Sequence, residues 1–407
     1  MKYVPVLGAA PSKATKTPVM HHFRDYLISI AEPTTSRGWT LQDIYKQVQK
    51  INRQRLPGLR LYLDSGGYQV IVGHITENRI KEYTDVYHFI LENFKNSIDF
   101  IFSLDINTPK FSKEKLIKYN DYSIDESIKL IKKYPELSDK QLFVVQSRFP
   151  HILEDWLELM DKHSIYLYYK RYSFGGLVGL KSETKVQFNH FVPMVFWLAT
   201  YIQNRYKQEN LPQKTIKQIH MLGQSSRVAL ITGVILEKLL GIEITMDSSE
   251  VIRFSPIEAK VPMVHKDEEF HVINNLEEME DMIAAHSDPE AEYEIENMKK
   301  ELQSGRVSNQ TFVELICQNI SNIISFGNHL VEEYQPEEIL KWKREDFENF
   351  HDIFKIGRLS TEMENNMRLA KLLKRYYDNN DFNGIHSHVL KLIGNYYSDS
   401  PSKTGEI

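Results

Sequence analysis

The sequence predicts an α/β fold: a (β/α)8 TIM-type barrel over residues 1–260, followed by a mostly helical, acidic region over 261–407. Three observations predict it. Eight short apolar or β-branched runs are spread through the first 250 residues. Most are separated by stretches with helical periodicity, so strand and helix alternate, as in a parallel sheet with crossover helices. The charge also changes sign, from a net +8 over residues 1–260 to −13 over 261–407, which marks two differently built regions.

The eight runs are 3–7, 26–30, 60–63, 100–104, 142–145, 165–169, 218–221 and 242–246. Helical periodicity occupies 41–51, 80–94, 123–133, 152–163 and 226–240. Eight units suit closure into a barrel. An open doubly wound sheet would want a Gly-rich phosphate turn after an early strand, and Val6-Leu7-Gly8-Ala9-Ala10 is a poor one. Beyond residue 260 the segments 268–285, 290–303, 311–333, 336–356, 363–377 and 385–397 read as charge-rich helices, with a frayed tail over 398–407.

The chain has 407 residues, 42% of them hydrophobic. A barrel of this type takes ~250 residues, which leaves room for the helical region. Cys317 is the only cysteine. It allows no internal disulfide and no multi-cysteine metal site. Residues 1–16 lack the apolar run of a signal peptide. The longest apolar stretch, 191–202, is broken by Pro193 and is too short to span a bilayer. The expectation is a cytoplasmic protein with no membrane partner and no cofactor.

In such a barrel the functional residues project from the C-terminal ends of the strands. There the sequence carries Asp64-Ser65-Gly66-Gly67-Tyr68-Gln69, then Asp105-Ile106-Asn107-Thr108-Pro109, Gln146, Gly175-Gly176-Leu177, Met221-Leu222-Gly223 and Asp247. Paired carboxylates are what glycosidic bond cleavage needs: one meets the anomeric carbon as oxocarbenium character develops, the other moves a proton. Diglycines allow close backbone approach to a flat ligand. A third Asp and a Gln supply acceptors and donors for the edge of a purine-like base. A single aspartate after a strand is commonly just a helix N-cap. The argument rests on such motifs at successive strand ends.

Together these motifs resemble the tRNA-guanine transglycosylase superfamily. Its Asp-Ser-Gly-Gly-Phe-Gln segment is similar to Asp64 through Gln69, with Tyr68 at the aromatic position. Its Asp-Glu-Cys-Thr-Pro looks like Asp105-Ile106-Asn107-Thr108-Pro109, and its Val-Gln-Gly-Gly like Val145-Gln146-Ser147-Arg148. Its Leu-Met-Gly looks like Met221-Leu222-Gly223. The resemblance implies that Asp247 is a nucleophile that forms a covalent bond to the sugar and that Asp64 is the general acid/base. It further implies a base pocket in which Asp105, Gln146 and Gly176 read the hydrogen-bonding edge, Met221 and Tyr68 pack on the faces, and Ser65, Gly66, Asn107 and Gly175 complete the lining.

The departures bear on the polymer. The tRNA enzymes carry a Cys-x-Cys-x-x-Cys…His zinc site, which one cysteine cannot form. Ser248-Ser249-Glu250 stands where Pro-Thr-Arg usually follows the nucleophile, and Ser147-Arg148 replaces a diglycine. The chain therefore looks more like the branch acting on DNA, the DNA-guanine transglycosylases, which insert a 7-deazaguanine such as 7-cyano-7-deazaguanine. A protein partner from a DNA-modification system is compatible with the acidic helices. Expected nucleic-acid contacts are Arg148 at the rim and Lys170 and Arg171 past a strand end, with salt-sensitive phosphate binding. His265, His271 and His286 read as solvated residues rather than ligands. The alternatives are a tRNA enzyme with an unusual appendage, a non-catalytic nucleic-acid-binding subunit, and an ordinary glycoside hydrolase. The last leaves Gln146 and the diglycines unexplained.

Overall fold

The computed structural model describes residues 1–6, 23–29, 46, 49, 58–67, 70, 75–106, 112–146, 150–175, 191–211, 214–248, 263–266, 269–272, 300–301, 304, 309–355 and 359–398. Eight strands form one sheet: β1 (Lys2–Pro5), β2 (Asp25–Ser29), β3 (Arg60–Asp64), β4 (Phe100–Phe102), β5 (Gln141–Gln146), β6 (Arg171–Gly175), β7 (Gln218–Met221) and β8 (Glu243–Ser248). All pair in parallel, in the order β1-β8-β7-β6-β5-β4-β3-β2. A parallel bridge between Val6 and Leu27 joins the two ends and closes the sheet. The predicted barrel is the observed fold.

The pleat sorts each strand into two faces. One set, Val4, Leu27, Tyr62, Phe100, Phe102, Leu142 and Val144, fills the barrel interior. The alternate set, including Tyr26, Leu61, Leu63, Ile101, Phe143, Val145, Phe174, Ile219, Met221, Ile244 and Met246, faces the helices. Ion pairs seal the floor, where the strands begin. Arg60 binds Asp25 through two hydrogen bonds of 2.6 and 2.7 Å, and Lys2 reaches Glu243 at 2.5 Å. The Arg60 and Arg171 guanidiniums lie over the Phe100 ring at 5.2 and 4.7 Å.

Around the sheet run α1 (Ile80–Phe94), α2 (Lys113–Lys133), α3 (Pro150–Lys162), α4 (Phe191–Gln208) and α5 (Arg227–Leu240). The Ser112 and Ser226 hydroxyls cap α2 and α5 by accepting from the Lys115 and Ala229 amides. Pro193 begins no break. It sits in the first turn of α4, where its missing N–H would have had no helical acceptor. Of the helix expected over 41–51, residues 46 and 49 are described, and both are helical.

Helices α4 and α5 are apolar all round, with 191–202 and 228–236 buried throughout. Such helices need cover on their outer sides. The C-terminal helices supply it: α6 (Asn309–Glu333), α7 (Pro336–Ile339), α8 (Arg344–Phe350), α9 (Leu359–Asp378) and α10 (Phe382–Ser398). Helix α6 packs on α5, α10 on α4, and α9 on both. A Cβ on Gly327 of α6 would meet the Val234 Cγ2 of α5 at 3.1 Å, which shows how closely those two helices approach. Asn366 Nδ2 donates to Thr232 Oγ1 (3.1 Å), and Trp197 Nε1 donates to His386 Nδ1 (2.9 Å). The helical region shares the barrel's hydrophobic core. Among the described residues no helix is long and apolar enough to cross a membrane.

Four expectations are corrected. The sixth strand is 171–175; residues 165–167 form a 3-10 turn that follows a left-handed Ser164 (φ 50°), burying Ile165, Tyr166 and Tyr169 without strand alternation. Segment 336–356 is three short pieces rather than one helix. Its aromatics at 342, 347, 350 and 354 fold around Phe326 and Tyr334. Residues 269–272 are a strand, β10 (Glu269–Val272), antiparallel to β9 (Met263–Lys266), so the helix expected over 268–285 does not start there. The β-branched and aromatic residues either side of 267–268 favour this hairpin. The apolar stretch 191–202 is not broken at Pro193 but belongs to the continuous helix α4.

Candidate active site

The C-terminal rim of the barrel gathers most of the predicted residues that are described. Asp64 ends β3, Gln146 ends β5, Gly175 ends β6, and Asp247 is the penultimate residue of β8. Asp105 follows β4 by three residues. Tyr68, Asn107, Arg148 and Gly176 lie outside the described residues.

Asp105 and Gln146 form the tightest unit. The Gln146 Nε2 donates to Asp105 Oδ2 at 2.5 Å, with both side chains buried. The glycines on either side explain how the pair fits. A Cβ on Gly67 would stand 2.2 Å from Asp105 Oδ2, and a Cβ on Gly175 would stand 2.3 Å from Gln146 Nε2. The sequence suggested that the diglycines admit a ligand. In the fold, one glycine of each admits a neighbouring side chain. Gly66 has φ +86° and turns the chain after β3, a conformation that costs glycine little. The Ser65 carbonyl accepts from the buried Tyr83 hydroxyl, and the Ser65 Oγ is buried with no partner among the described residues.

Burial pushes the Asp105 carboxyl up to about 7, the charge of Asp64 pushes the same way, and the Gln146 donor opposes both. A buried acid titrating near neutrality beside a second carboxylate is suited to carry a proton in either direction. It also has a stability consequence. The folded chain holds this proton more tightly than the unfolded chain, so stability falls as pH rises from about 4 through about 7. Asp105→Asn cannot ionise. Its stability relative to wild type is expected to improve by about 1–3 kcal/mol between pH 5 and pH 8, read by urea unfolding. A pH-independent difference would contradict the buried acid.

Asp247 is held differently. Its Oδ1 accepts from His220 Nε2 (2.9 Å) and from the Gly223 amide (2.9 Å), while Oδ2 has no partner among the described residues. Gly223 has φ +73°, the turn that aims its amide back at β8. Behind His220, Nδ1 lies 2.7 Å from Thr245 Oγ1, and Gln218 Nε2 donates to that same oxygen at 2.8 Å.

Sequence reasoning missed His220, Thr245 and Gln218. The signal was present as period-2 alternation: Gln218-x-His220 and Thr245-x-Asp247 are polar residues on the inward faces of two neighbouring strands, where apolar residues are ordinary.

Three predicted residues stand elsewhere. Met221 is fully buried on the outward face of β7, among the residues packed on the helices, and its pleat partner across the sheet is Met246. The interior position belongs to Leu222, because one step along a strand reverses the face. Lys170 and Arg171 stand where β6 begins, on the barrel floor, and so cannot lie beside Asp247 at the mouth. Lys170 pairs with Asp139 at 2.9 Å; Arg171 donates to the Asp139 carbonyl (2.8 Å) and to Gln218 Oε1 (2.6 Å). Their expected role as nucleic-acid contacts followed from the misplaced sixth strand.

No family model matches the chain, and no curated protein matches it.

Proposed function

We propose that this chain is a transglycosylase that exchanges guanine in DNA for a 7-deazaguanine through a covalent aspartyl–sugar intermediate. The observation that carries the reading is the state of Asp247: one carboxylate oxygen is clamped by two donors and the other has no partner among the described residues, on the rim that also bears Asp64 and Asp105. A nucleophile on one side and a proton-carrying carboxylate pair on the other is the division of labour that glycosidic exchange requires.

In the first half, Asp247 Oδ2 forms a bond to C1′ of the target nucleotide. The C1′–N9 bond breaks with its electron pair going to the base, and the Asp64–Asp105 pair supplies the proton that neutralises the departing guanine. In the second half, the same pair takes the proton from N9–H of the incoming 7-deazaguanine, N9 attacks C1′, and the Asp247 carboxylate leaves. Protons and electrons balance, and the enzyme returns to its starting state. The target nucleotide must leave its stack first, at about a few kcal/mol. The choice of DNA over tRNA rests on the single cysteine and the altered neighbours of Asp105, Gln146 and Asp247.

Labelled 7-cyano-7-deazaguanine, incubated with the full chain and either duplex DNA or tRNA, tests this. Label is expected in DNA. Label in tRNA alone would overturn the choice of polymer, and uptake by neither would overturn the exchange reaction.

A further inference from the structure

We propose that Asp247 is aimed by a one-way hydrogen-bond relay that starts at Arg171 on the barrel floor, with His220 as the positioning residue that delivers it. The relay crosses the barrel interior through four groups: Arg171, Gln218, Thr245 and His220. Its direction follows from the donor inventory of each group.

A guanidinium has donors and no acceptor. The Arg171 Nη1 contact at 2.6 Å therefore requires the Gln218 oxygen to face the floor. The Gln218 amide nitrogen is left to face upward, where it lies 2.8 Å from Thr245 Oγ1 and 3.1 Å from the Tyr62 hydroxyl. Thr245 accepts from Gln218, so its one proton is free for the remaining neighbour, His220 Nδ1 at 2.7 Å. Nδ1 is then an acceptor, and the ring proton sits on Nε2, which donates to Asp247 Oδ1 at 2.9 Å.

His220, Thr245 and Gln218 are fully buried, out of reach of bulk solvent. The imidazole is also held in place by rings: Phe102 meets it edge-on at 4.9 Å, and Tyr62 lies 6.1 Å away. Reversal at the Arg171–Gln218 link would turn a donor toward a donor, and reversal at the His220–Asp247 link would set an unprotonated ring nitrogen against a carboxylate oxygen. Arg171, which looks like a floor ion-pair residue, thereby sets which ring nitrogen of His220 carries the proton offered to Asp247. The functional meaning of the relay rests on the role proposed for Asp247; its direction does not.

Nitrogen-15 NMR of histidine-labelled full-length protein at neutral pH reads the relay directly, with His220 assigned by its loss in His220→Gln. The expected pattern is a pyrrole-type Nε2 and a pyridine-type Nδ1. In Gln218→Glu the introduced carboxylate cannot donate, so the Thr245 hydroxyl turns to it and Nδ1 is expected to gain a proton. Thr245→Ser should keep the wild-type pattern and Thr245→Val should lose it, a contrast that decides the matter if Gln218→Glu does not fold. A pyridine-type Nε2 in the wild type, or identical spectra for Thr245→Ser and Thr245→Val, overturns the relay. Where exchange is measurable, Thr245→Val should lower kcat about tenfold or more with KM unchanged, and Thr245→Ser should restore it. Absence of exchange in the wild type would remove the proposed function and leave the NMR result standing.

Discussion

Asp247→Ala is expected to abolish base exchange, lowering the rate by at least about three orders of magnitude, and to eliminate any covalent adduct with the nucleic acid. Both halves of the proposed reaction pass through a bond to Asp247 Oδ2, so no neighbouring group can substitute for it by rotating. Asp64 ends β3 and Asp105 follows β4, where Asp105 is held by Gln146. The substitution leaves the His220 Nε2–H and the Gly223 amide without their acceptor. That loss costs about 1–3 kcal/mol for a buried donor, so a folding control is required. Asp247→Asn provides it: the amide oxygen can keep both donors satisfied while the nucleophile is gone. Denaturing electrophoresis of protein incubated with DNA reads the adduct, and label uptake reads exchange. A normal adduct in both variants would mean that another carboxylate attacks the sugar.

The second large effect is expected at glycine. Gly175→Ala would bring a methyl group 2.3 Å from Gln146 Nε2 and 2.7 Å from its Cδ. The atom in the way is the end of a flexible side chain, so the fold can accommodate the methyl by moving Gln146. The movement pulls Gln146 off Asp105, since their contact is only 2.5 Å long. Stability should therefore change by about 1 kcal/mol or less, while exchange falls about a hundredfold, because the groups that handle the base and its proton are no longer aligned. Gly67→Ala presses on the same pair from the opposite side and reaches the Asp105 Cβ at 3.0 Å, so it should cost more stability. The double variant should lose less than the product of the two single effects, because both displace one unit. Wild-type exchange in Gly175→Ala would show that the Asp105–Gln146 contact is not needed for the chemistry.

Much of this arrangement was legible in one dimension. Alternating runs and helical stretches yield eight parallel strands, and the C-terminal ends of those strands carry Asp64, Asp105, Gln146, Gly175 and Asp247. Strand ends can be read from sequence because the local period changes there from two residues to 3.6. Reading failed where local pattern and burial diverge. Residues 165–169 are as apolar as a strand, but Ser164 turns left-handed ahead of them and a 3-10 turn results, which moved Lys170 and Arg171 to the wrong end of the barrel. Met221 and Leu222 are both apolar, and only the pleat of β7 says which one faces the interior.

The sequence by itself determined the barrel and the carboxylates on its rim, because these depend on periodicity and on residue types at strand ends. The tertiary structure alone decided how the carboxylates differ. Asp105 is buried beside Asp64 and its proton is held to about pH 7, while Asp247 has one oxygen clamped by His220 and Gly223. It also decided that Gly67 and Gly175 are spaces for Asp105 and Gln146, and that Arg171 belongs to the floor. Those facts depend on through-space distance, burial and donor direction between residues far apart in the chain, and adjacent letters carry no record of them.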